Sequence, residues 1–512
     1  MMPGMLRIFS LAVMSIALLA MGLSIVQLNK AADGIVVDNI TIGTIPARVF
    51  HRQESDAAPV VVIAHGFAGS QQLMQSFALS FARNGYIALT FDFAGHGRNP
   101  APLTGSITEE TGATETLLAE LEKVAAYARS LGDGRLAVLG HSMASDIVVR
   151  FAQKVPDITA TISVSMFSPV VTATTPRNLL VIVGDWEGLL KQEALRAVSL
   201  ATAPLAAQPS VSYGEPLDGT ARAAAFIPYT EHVSVLFAIE SMRNAVEWLD
   251  ACFGFHRLQP IALDARGPWI ALLIAGAVLL AWQASHSLPK VALEPIGAGL
   301  KWQRLWLPIL LPALITPILL RFLPTHFLPV LVADYLAVHF ACYGFITFTM
   351  LAITKGAGDI FTLRARSMSG LLTAVCLVVA YEAIALFWPL DHYFTNFIPA
   401  FNRIPIILAM VIGTLCYFVS DEWLTRGKET ARAGYAASKV TFLVSLGLAT
   451  AFDFERLFFL IIIIPVILLF FLIFGLFSSW IYRRTGDPLI AGLANAFAFA
   501  WAIGVTFPIL AG

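Results

Sequence analysis

Apolar and polar positions follow two different patterns along this chain, and the change between them divides it into two parts. Over residues 31–265, short apolar runs alternate with polar and amphipathic stretches. Beyond residue 268, long apolar runs dominate. Short buried runs that alternate with helical stretches indicate strands joined by crossover helices, whereas runs of about 20 apolar residues are typical of membrane-spanning helices. We therefore predict an α/β domain followed by a helical membrane domain.

The first part predicts a mostly parallel sheet flanked by helices. Alternation over residues 35–52 indicates an antiparallel hairpin at the edge of the sheet. Amphipathic stretches over 109–131 and 231–253 predict helices. Residues 99–107 and 201–220, rich in Pro, Gly, Ser or Ala, predict loops. The runs that predict buried strands cover residues 59–64, 86–91, 136–138, 159–166 and 179–183.

The second part contains eight candidate membrane spans, and an apolar run over residues 8–26 adds a ninth near the N-terminus. Crossing a bilayer takes about 17–25 mainly apolar residues. The runs over 305–320 and 440–452 fall short, so we expect them to be re-entrant or only partly embedded. Residues 1–30 lack a clear small-residue cleavage site and predict an uncleaved signal anchor, with cleavage near Ala31 as the alternative. The eight spans cover residues 268–284, 305–320, 327–354, 368–390, 397–420, 440–452, 457–482 and 489–510.

Composition agrees with this division and excludes some classes of function. The chain is 57% hydrophobic and 13% charged, whereas ordinary soluble domains carry about 25% charged residues. A net charge of −1, without a basic patch that carries aromatic residues, argues against nucleic-acid binding. Of the four cysteines only Cys252 lies in the first part, which excludes an internal disulfide there, and no Cys/His spacing indicates a zinc site. We expect neither a cofactor nor a metal.

Basic residues indicate the orientation of the predicted spans, since Lys and Arg concentrate in cytoplasmic loops. With the N-terminus in the cytoplasm, the short outer loops hold only Arg321 and Arg456. This arrangement predicts a bacterial inner-membrane protein whose first domain lies on the periplasmic, extracytoplasmic side. The predicted inner loops hold Lys290, Lys301, Arg304, Lys355, Arg364, Arg366, Arg426, Lys428, Arg432, Lys439, Arg483 and Arg484.

The candidate chemistry centres on Ser142. Residues 139–144 read Leu-Gly-His-Ser-Met-Ala and lie between an apolar run and a helix-compatible segment that begins at Ser145. This is the G-x-S-x-G pattern of a nucleophile elbow, with Ala144 in place of the last glycine. Small residues are needed there because the serine sits on a strained strand-to-helix turn. The pattern predicts a serine nucleophile, and an ordinary Gly-x-Ser turn is the alternative.

Further motifs give residues 35–252 a resemblance to the α/β-hydrolase superfamily. His65-Gly66 follows one predicted strand, Asp92-Phe-Ala-Gly-His-Gly follows the next, and Gly140-His-Ser forms the elbow. The resemblance implies an α/β-hydrolase fold, acyl-transfer chemistry and the order Ser, acid, His along the chain. It also implies an oxyanion hole made by the backbone N–H groups of Phe67 and Met143.

The base and the acid follow from this order. His232 lies just before the last, closing helix of the first part, where the fold places its general base, whereas His256 follows that helix. The acid loop follows the run 179–183 and Gly184. The superfamily resemblance favours an acid three residues after the glycine, which is Glu187, and Asp185 is the alternative acid. Either carboxylate would orient the imidazole and stabilise its protonated form.

A weaker resemblance occurs in the second part. Residues 421–426 read Asp-Glu-Trp-Leu-Thr-Arg and resemble the E-E-x-x-x-R motif of CAAX-protease-like (CPBP) intramembrane peptidases. Residues 482–496 resemble the approach to that family's last motif, with Asn495 where the family has histidine. The last histidine of the chain, His392, lies upstream of both. We therefore expect either a structural charged cluster or an inactive domain of peptidase-like descent.

Together these features predict a membrane-anchored serine hydrolase of the esterase, lipase or acyl-transfer type, acting on esters, thioesters or amides outside the cytoplasm. Its expected partners are a small-molecule or lipid acyl substrate and the lipid bilayer. The alternative is a membrane transport or assembly protein in which the hydrolase domain is an accessory or binding module. The predicted divisions are an anchor over 1–30, an α/β-hydrolase domain over 31–254, a linker over 255–267 and a transmembrane helical domain over 268–512.

Overall fold

The computed structural model describes residues 3–53, 57–105, 112–355 and 366–511, which fall into two compact units. Arg364 and the beginning of the predicted helix over 109–131 lie outside the described residues. The domain boundaries drawn from the sequence stay predictions. The first unit comprises Met1–Met21, Ile274–Pro389 and Phe401–Phe507, and the second comprises Gly22–Leu273, Leu390–Ala400 and Pro508–Gly512.

A mixed sheet forms the centre of the second unit. Its strands are β1 Ile35–Ile42, β2 Ile45–Arg52, β3 Val60–Ala64, β4 Ile87–Phe91, β5 Leu136–His141, β6 Ala160–Val164, β7 Leu179–Gly184, β8 Ser212–Tyr213 and β9 Arg222–Ile227. Their order across the sheet is β1-β2-β4-β3-β5-β6-β7-β9-β8. The strands from β4 through β3, β5, β6 and β7 to β9 pair in parallel, whereas β1–β2, β2–β4 and β8–β9 are antiparallel. The predicted parallel sheet and its edge hairpin are confirmed.

Helices pack on both faces of this sheet because the central strands are apolar on both sides. In β3, Val61 and Ile63 lie in one buried cluster with the helices α2 (Gln75–Arg83) and α6 (Ile239–Phe253). Val60 and Val62 lie in a second cluster with α3 (Ala113–Ala128) and α4 (Met143–Lys154). Each such side chain contributes about 1.5–3 kcal/mol by leaving water. The fold is an α/β-hydrolase-like sheet with flanking helices. In chain order, the first six helices of the protein are α1 Pro3–Lys30, α2 Gln75–Arg83, α3 Ala113–Ala128, α4 Met143–Lys154, α5 Gly188–Thr202 and α6 Ile239–Phe253, and α1 belongs to the first unit up to Met21.

The region between β7 and α6 differs from the sequence prediction. The predicted loop over 201–220 contains β8, and β9 follows it with a run of three alanines, which carries little strand propensity. The closing helix begins at Ile239 rather than at residue 231, because residues 234–237 form a 3-10 turn and Ala238 has extended backbone (φ −75°, ψ 131°). His232 therefore lies in a turn before the helix, at the carboxyl end of the sheet.

The membrane part consists of long apolar helices. Among the described residues, nine helices are long and apolar enough to cross a membrane, as predicted, so the chain has the helices of a multi-pass membrane protein. The two runs expected to be too short belong to helices of 19 residues, Trp302–Leu320 and Gly434–Phe452. Polar residues at the ends of these helices hid their length. The further helices are α7 Arg266–Ser285, α8 Trp302–Leu320, α9 Ala333–Lys355, α10 Met368–Glu382, α11 Trp388–Tyr393, α12 Ile404–Thr425, α13 Gly434–Phe452, α14 Phe454–Leu457, α15 Leu460–Thr485 and α16 Pro488–Thr506.

A buried charged cluster lies in the first unit at the motif that resembles a peptidase. The Glu422 carboxylate accepts hydrogen bonds from Tyr435 Oη (2.9 Å), Ser478 Oγ (2.6 Å) and Arg426 Nε (3.2 Å). Neither amide atom of Asn495 has a hydrogen-bond partner among the described residues. A carboxylate with three donors is held in place, which agrees with the structural interpretation of this motif.

Ion pairs also neutralise basic residues that the sequence assigned to inner loops. Lys439 of α13 pairs with Asp421 of α12, and Arg366 Nε lies 2.6 Å from Asp487 Oδ2. Because Lys439 and Arg366 are buried in ion pairs, they are weaker evidence for the orientation of the spans than basic residues in exposed loops are. The remaining basic residues of the predicted inner loops still outnumber the two of the outer loops.

Candidate active site

Ser142 occupies a tight turn between β5 and α4. Its backbone angles are φ 53° and ψ −116°, a left-handed region that non-glycine residues rarely adopt. A Cβ atom at Gly140 would lie 2.3 Å from the Ala144 carbonyl oxygen, so only glycine fits there, whereas the methyl group of Ala144 itself is buried without displacing the turn. The strand, turn and helix predicted around Ser142 are present.

Three side chains from different loops form one hydrogen-bonded chain. Ser142 Oγ lies 2.8 Å from His232 Nε2, and His232 Nδ1 lies 2.6 Å from Glu187 Oε1. The tautomer with its proton on Nδ1 satisfies both bonds, since Nδ1–H donates to the carboxylate and Nε2 accepts from the hydroxyl. The His232 side chain is 24% exposed and the Glu187 side chain only 7%, so the acid is more protected from water than the base. Ser142 is partly buried.

The two candidate acids differ sharply in their surroundings. The second oxygen of Glu187 accepts hydrogen bonds from the Gly184 N–H (2.8 Å) and from Ser165 Oγ (2.8 Å). Asp185 instead pairs with Lys191 at 2.8 Å, and its side chain is 50% exposed. The structure therefore brings Glu187 to His232 and leaves Asp185 on the surface.

Two neighbouring histidines support the loops around the serine. His141 Nε2 donates to the His232 carbonyl oxygen (2.9 Å), and burial together with the nearby His232 lowers the pKa of His141 to about 3. His65 Nδ1 donates to the Gly66 carbonyl oxygen (2.8 Å), and its Nε2 accepts from the Phe93 N–H (3.1 Å). Burial lowers the pKa of His65, so both rings stay neutral near pH 7 and serve as hydrogen-bonding links.

The predicted oxyanion donors lie on the two segments that meet at Ser142. Met143 is the first residue of α4, so its N–H belongs to a helix N-terminus, where the partial charge is positive. Phe67 follows Gly66, whose position is so close to the elbow that an added Cβ would lie 2.9 Å from Ser142 Cβ. The loop of Phe67 is thus packed directly against the serine.

Ser165 is a site residue that the sequence analysis missed. It follows β6 with φ 52°, is buried, and donates its hydroxyl proton to Glu187. The position of Ser165 directly after a predicted strand could have indicated its role, because the carboxyl ends of neighbouring parallel strands meet at one edge of the sheet. A polar residue just after β6 could therefore have been expected near the acid that follows β7.

Comparison with known families assigns a hydrolase domain to part of the chain. Residues 55–209 match the family described as Serine aminopeptidase, S33. This range includes Ser142 and Glu187 and ends before His232. No curated protein matches the sequence. The resemblance of residues 421–426 to CPBP peptidases finds no support in these comparisons.

Solved structures are similar to parts of the chain. An epoxide hydrolase from Vigna radiata is 24% identical over 27% of this chain, which spans 40% of that protein, with a TM-score of 0.22. A CIB-like hydrolase from Thermoplasma acidophilum is 15% identical over 42% of this chain and 99% of its own length, with a TM-score of 0.33. A bacterial membrane phospholipase A is 15% identical over 49% of this chain and 97% of its own length, with a TM-score of 0.32.

Proposed function

We propose that the protein is a membrane-anchored serine hydrolase that transfers acyl groups from ester, thioester or amide substrates. The observation that carries this proposal is the hydrogen-bonded chain from Ser142 Oγ through His232 to Glu187. Nucleophile, base and acid occur in the order expected of this fold, and the nucleophile stands on a strained elbow. A serine that only stabilised a turn would need neither the imidazole nor the buried carboxylate.

In the proposed reaction, Ser142 Oγ attacks the substrate carbonyl carbon while His232 Nε2 takes the hydroxyl proton. Glu187 stabilises the resulting imidazolium through its bond to Nδ1. The N–H groups of Phe67 and Met143 bind the oxyanion, and each such donor contributes about 3–4 kcal/mol. The protonated His232 then gives its proton to the leaving group, which departs and leaves an acyl-serine. Water activated by the same imidazole hydrolyses this ester.

Exposed apolar side chains close in sequence to Ser165, Glu187 and His232 favour a substrate with an apolar acyl group. They follow β6, β7 and β9, within three residues of Ser165, Glu187 or His232 in sequence, and are 65–83% exposed. Such side chains on the loops beside a nucleophile would contact the acyl chain of a lipid or another small-molecule ester. They are Phe167, Trp186, Leu189 and Tyr229.

We further propose that this domain lies on the extracytoplasmic side of a bacterial inner membrane. The number of membrane-capable helices among the described residues and the distribution of basic residues in the connecting loops support this orientation. The substrate would then be a periplasmic or outer-leaflet acyl compound.

Hydrolysis of p-nitrophenyl esters by the purified full-length protein tests the proposed function. Ser142→Ala and His232→Ala should each lower kcat by several orders of magnitude, because members of such a set act as a unit. For p-nitrophenyl esters of increasing acyl length, kcat/KM should rise. Trp186→Ala should make this rise smaller but should still hydrolyse p-nitrophenyl acetate. Turnover that survives in Ser142→Ala would contradict the proposal.

A second candidate is a membrane transport or assembly function, with the hydrolase domain as an accessory module. Charged residues inside the first unit favour it: Asp421 and Lys439 pair within membrane-capable helices, and neither carboxylate oxygen of Glu382 has a hydrogen-bond partner among the described residues. Charged residues inside a membrane frequently serve transport. Under this candidate, Ser142→Ala would rescue a deletion strain, whereas Asp421→Asn would not.

A further inference from the structure

The segment of residues 391–398, here called the connecting segment, joins two membrane-capable helices yet belongs to the unit that contains the sheet. It contacts three loops of that unit. The Asn396 N–H donates to Ser70 Oγ (2.9 Å), and Thr395 Oγ1 lies 3.1 Å from the same oxygen. Phe394 stacks on Phe237, with 5.5 Å between the ring centroids. Phe237 lies five residues after His232 in the sequence.

An ion pair fixes the other end of the connecting segment. Asp391 Oδ2 accepts a hydrogen bond from Arg98 Nη2 at 2.6 Å. Its Oδ1 accepts from the N–H groups of Phe397 (2.9 Å) and Ile398 (2.8 Å), which folds the segment into a compact turn. The Asp391 side chain is only 10% exposed, so this pair is better shielded from water than an ordinary surface ion pair.

Asp92 closes these contacts into a ring of hydrogen bonds. Its Oδ1 accepts from the Gln71 N–H (2.7 Å), next to Ser70, and its Oδ2 accepts from the Arg98 N–H (3.0 Å). The ring therefore runs from the connecting segment through Ser70, Asp92 and Arg98 and back to Asp391. Two loops, residues 65–71 and residues 92–98, are joined to one another and to the same distant segment.

The loop over 65–71 is the one that holds the proposed oxyanion donor. His65 links it to the second loop through the Phe93 N–H, and the Gly66 carbonyl oxygen accepts from His65 Nδ1 (2.8 Å) and from the Gly69 N–H (3.1 Å). A shift of Ser70 would move this turn, and with it the N–H of Phe67. A displacement of about 1 Å in a catalytic group can cost on the order of 100-fold in rate.

We propose that the connecting segment positions the oxyanion loop, and that Ser70, Arg98 and Asp391 are positioning residues for acyl transfer. This inference rests on the proposed function. It assigns to a loop between membrane-capable helices a part in the hydrolase site, although Asp391 and Arg98 are 293 residues apart in sequence.

The test uses full-length protein in detergent and a p-nitrophenyl ester. The variants are Asp391→Ala, which removes the partner of Arg98, and the double variant Ser70→Ala/Asp391→Ala, which opens the ring at both ends. We expect kcat to fall by about tenfold or more in the double variant, with KM changed less than about twofold, because transition-state stabilisation is lost rather than substrate binding. Arg98→Lys, which keeps the charge, should retain most of the activity that Arg98→Gln loses.

A matched control is Arg129→Gln, which breaks an exposed ion pair with Asp157 (2.7 Å) elsewhere in the same unit and should leave kcat unchanged. A double variant with the wild-type kcat would overturn the positioning role. So would equal losses in Arg98→Lys and Arg98→Gln, or a loss that follows only the fraction of folded protein. If the wild type itself is no more active than Ser142→Ala, the proposed function fails, and that result is distinct from an active wild type with active ring variants.

Discussion

Replacing Glu187 by glutamine should reverse the tautomer of His232. In the structure one carboxylate oxygen accepts from the Gly184 N–H and from Ser165 Oγ, while the other faces His232 Nδ1 at 2.6 Å. A glutamine has one acceptor and one donor end. Because a backbone N–H cannot become an acceptor, the amide oxygen will point at Gly184 and the NH₂ group at Nδ1. His232 must then accept at Nδ1 and carry its proton on Nε2, where it cannot take the proton of Ser142.

The expected loss is large because the base is disabled while the site remains folded. A wrong tautomer in a serine triad costs about 10⁴-fold in kcat, which corresponds to about 5.5 kcal/mol of activation free energy. Asp185→Asn makes the same chemical change two residues away. It removes only a half-exposed pair with Lys191, worth about 0–1 kcal/mol of stability, and should leave kcat within about twofold.

The assay is kcat for a p-nitrophenyl ester, together with the rate of fluorophosphonate labelling, for both variants and the wild type. The unfolding midpoint of each variant shows whether it is folded. Glu187→Gln should lose both activities while staying folded. If Asp185→Asn loses activity and Glu187→Gln does not, the acid is Asp185, and Glu187 does not orient His232 for catalysis.

Three further predictions concern pH, the membrane part and topology. The pKa of His141 falls from 6.5 to about 3 on burial, so below pH 6.5 only the unfolded chain gains this proton and stability is lost toward pH 3. The loss is about 2 kcal/mol at pH 5, and His141→Gln should therefore show a smaller drop in Tm between pH 7 and 5 than the wild type. Glu422→Gln should keep ester hydrolysis and remove no peptidase activity, and proteolysis that depends on Glu422 would contradict the structural interpretation. Reporter fusions in 255–267 and at Arg432 should give opposite signals, and a cytoplasmic signal from the first would refute the orientation.

The sequence predicted the elbow and its partners because their signals are local. Gly140 and Ser142 are readable as a turn that only small residues allow, and His232 is the histidine at the position where this fold places its base. The choice of Glu187 came from a family resemblance and not from physical reasoning, so the sequence kept Asp185 open. The hydrogen bonds that distinguish the two carboxylates come from Ser165 and Gly184, which meet only after the strands pair.

Features that depend on distant partners could not be predicted. The alanines of β9 carry little strand propensity, and this strand forms because β7 offers it a hydrogen-bonding edge and a buried face. The predicted span began after Lys439 because an unpaired charge is costly in lipid. In the structure, Asp421 of another helix neutralises that charge, and the helix includes Lys439. The pairing of Asp391 with Arg98 joins residues far apart in sequence, and no pattern in either stretch indicates the other.

Mapping the adduct of a fluorophosphonate probe shows whether Ser142 is a nucleophile activated by His232. The full-length protein would be treated with the probe in native membranes and digested, and the modified peptide identified by mass spectrometry. We expect one adduct, on Ser142, that is absent from Ser142→Ala and strongly reduced in His232→Ala. A folded protein that takes no probe, or that is modified equally in wild type and Ser142→Ala, would contradict this role of Ser142.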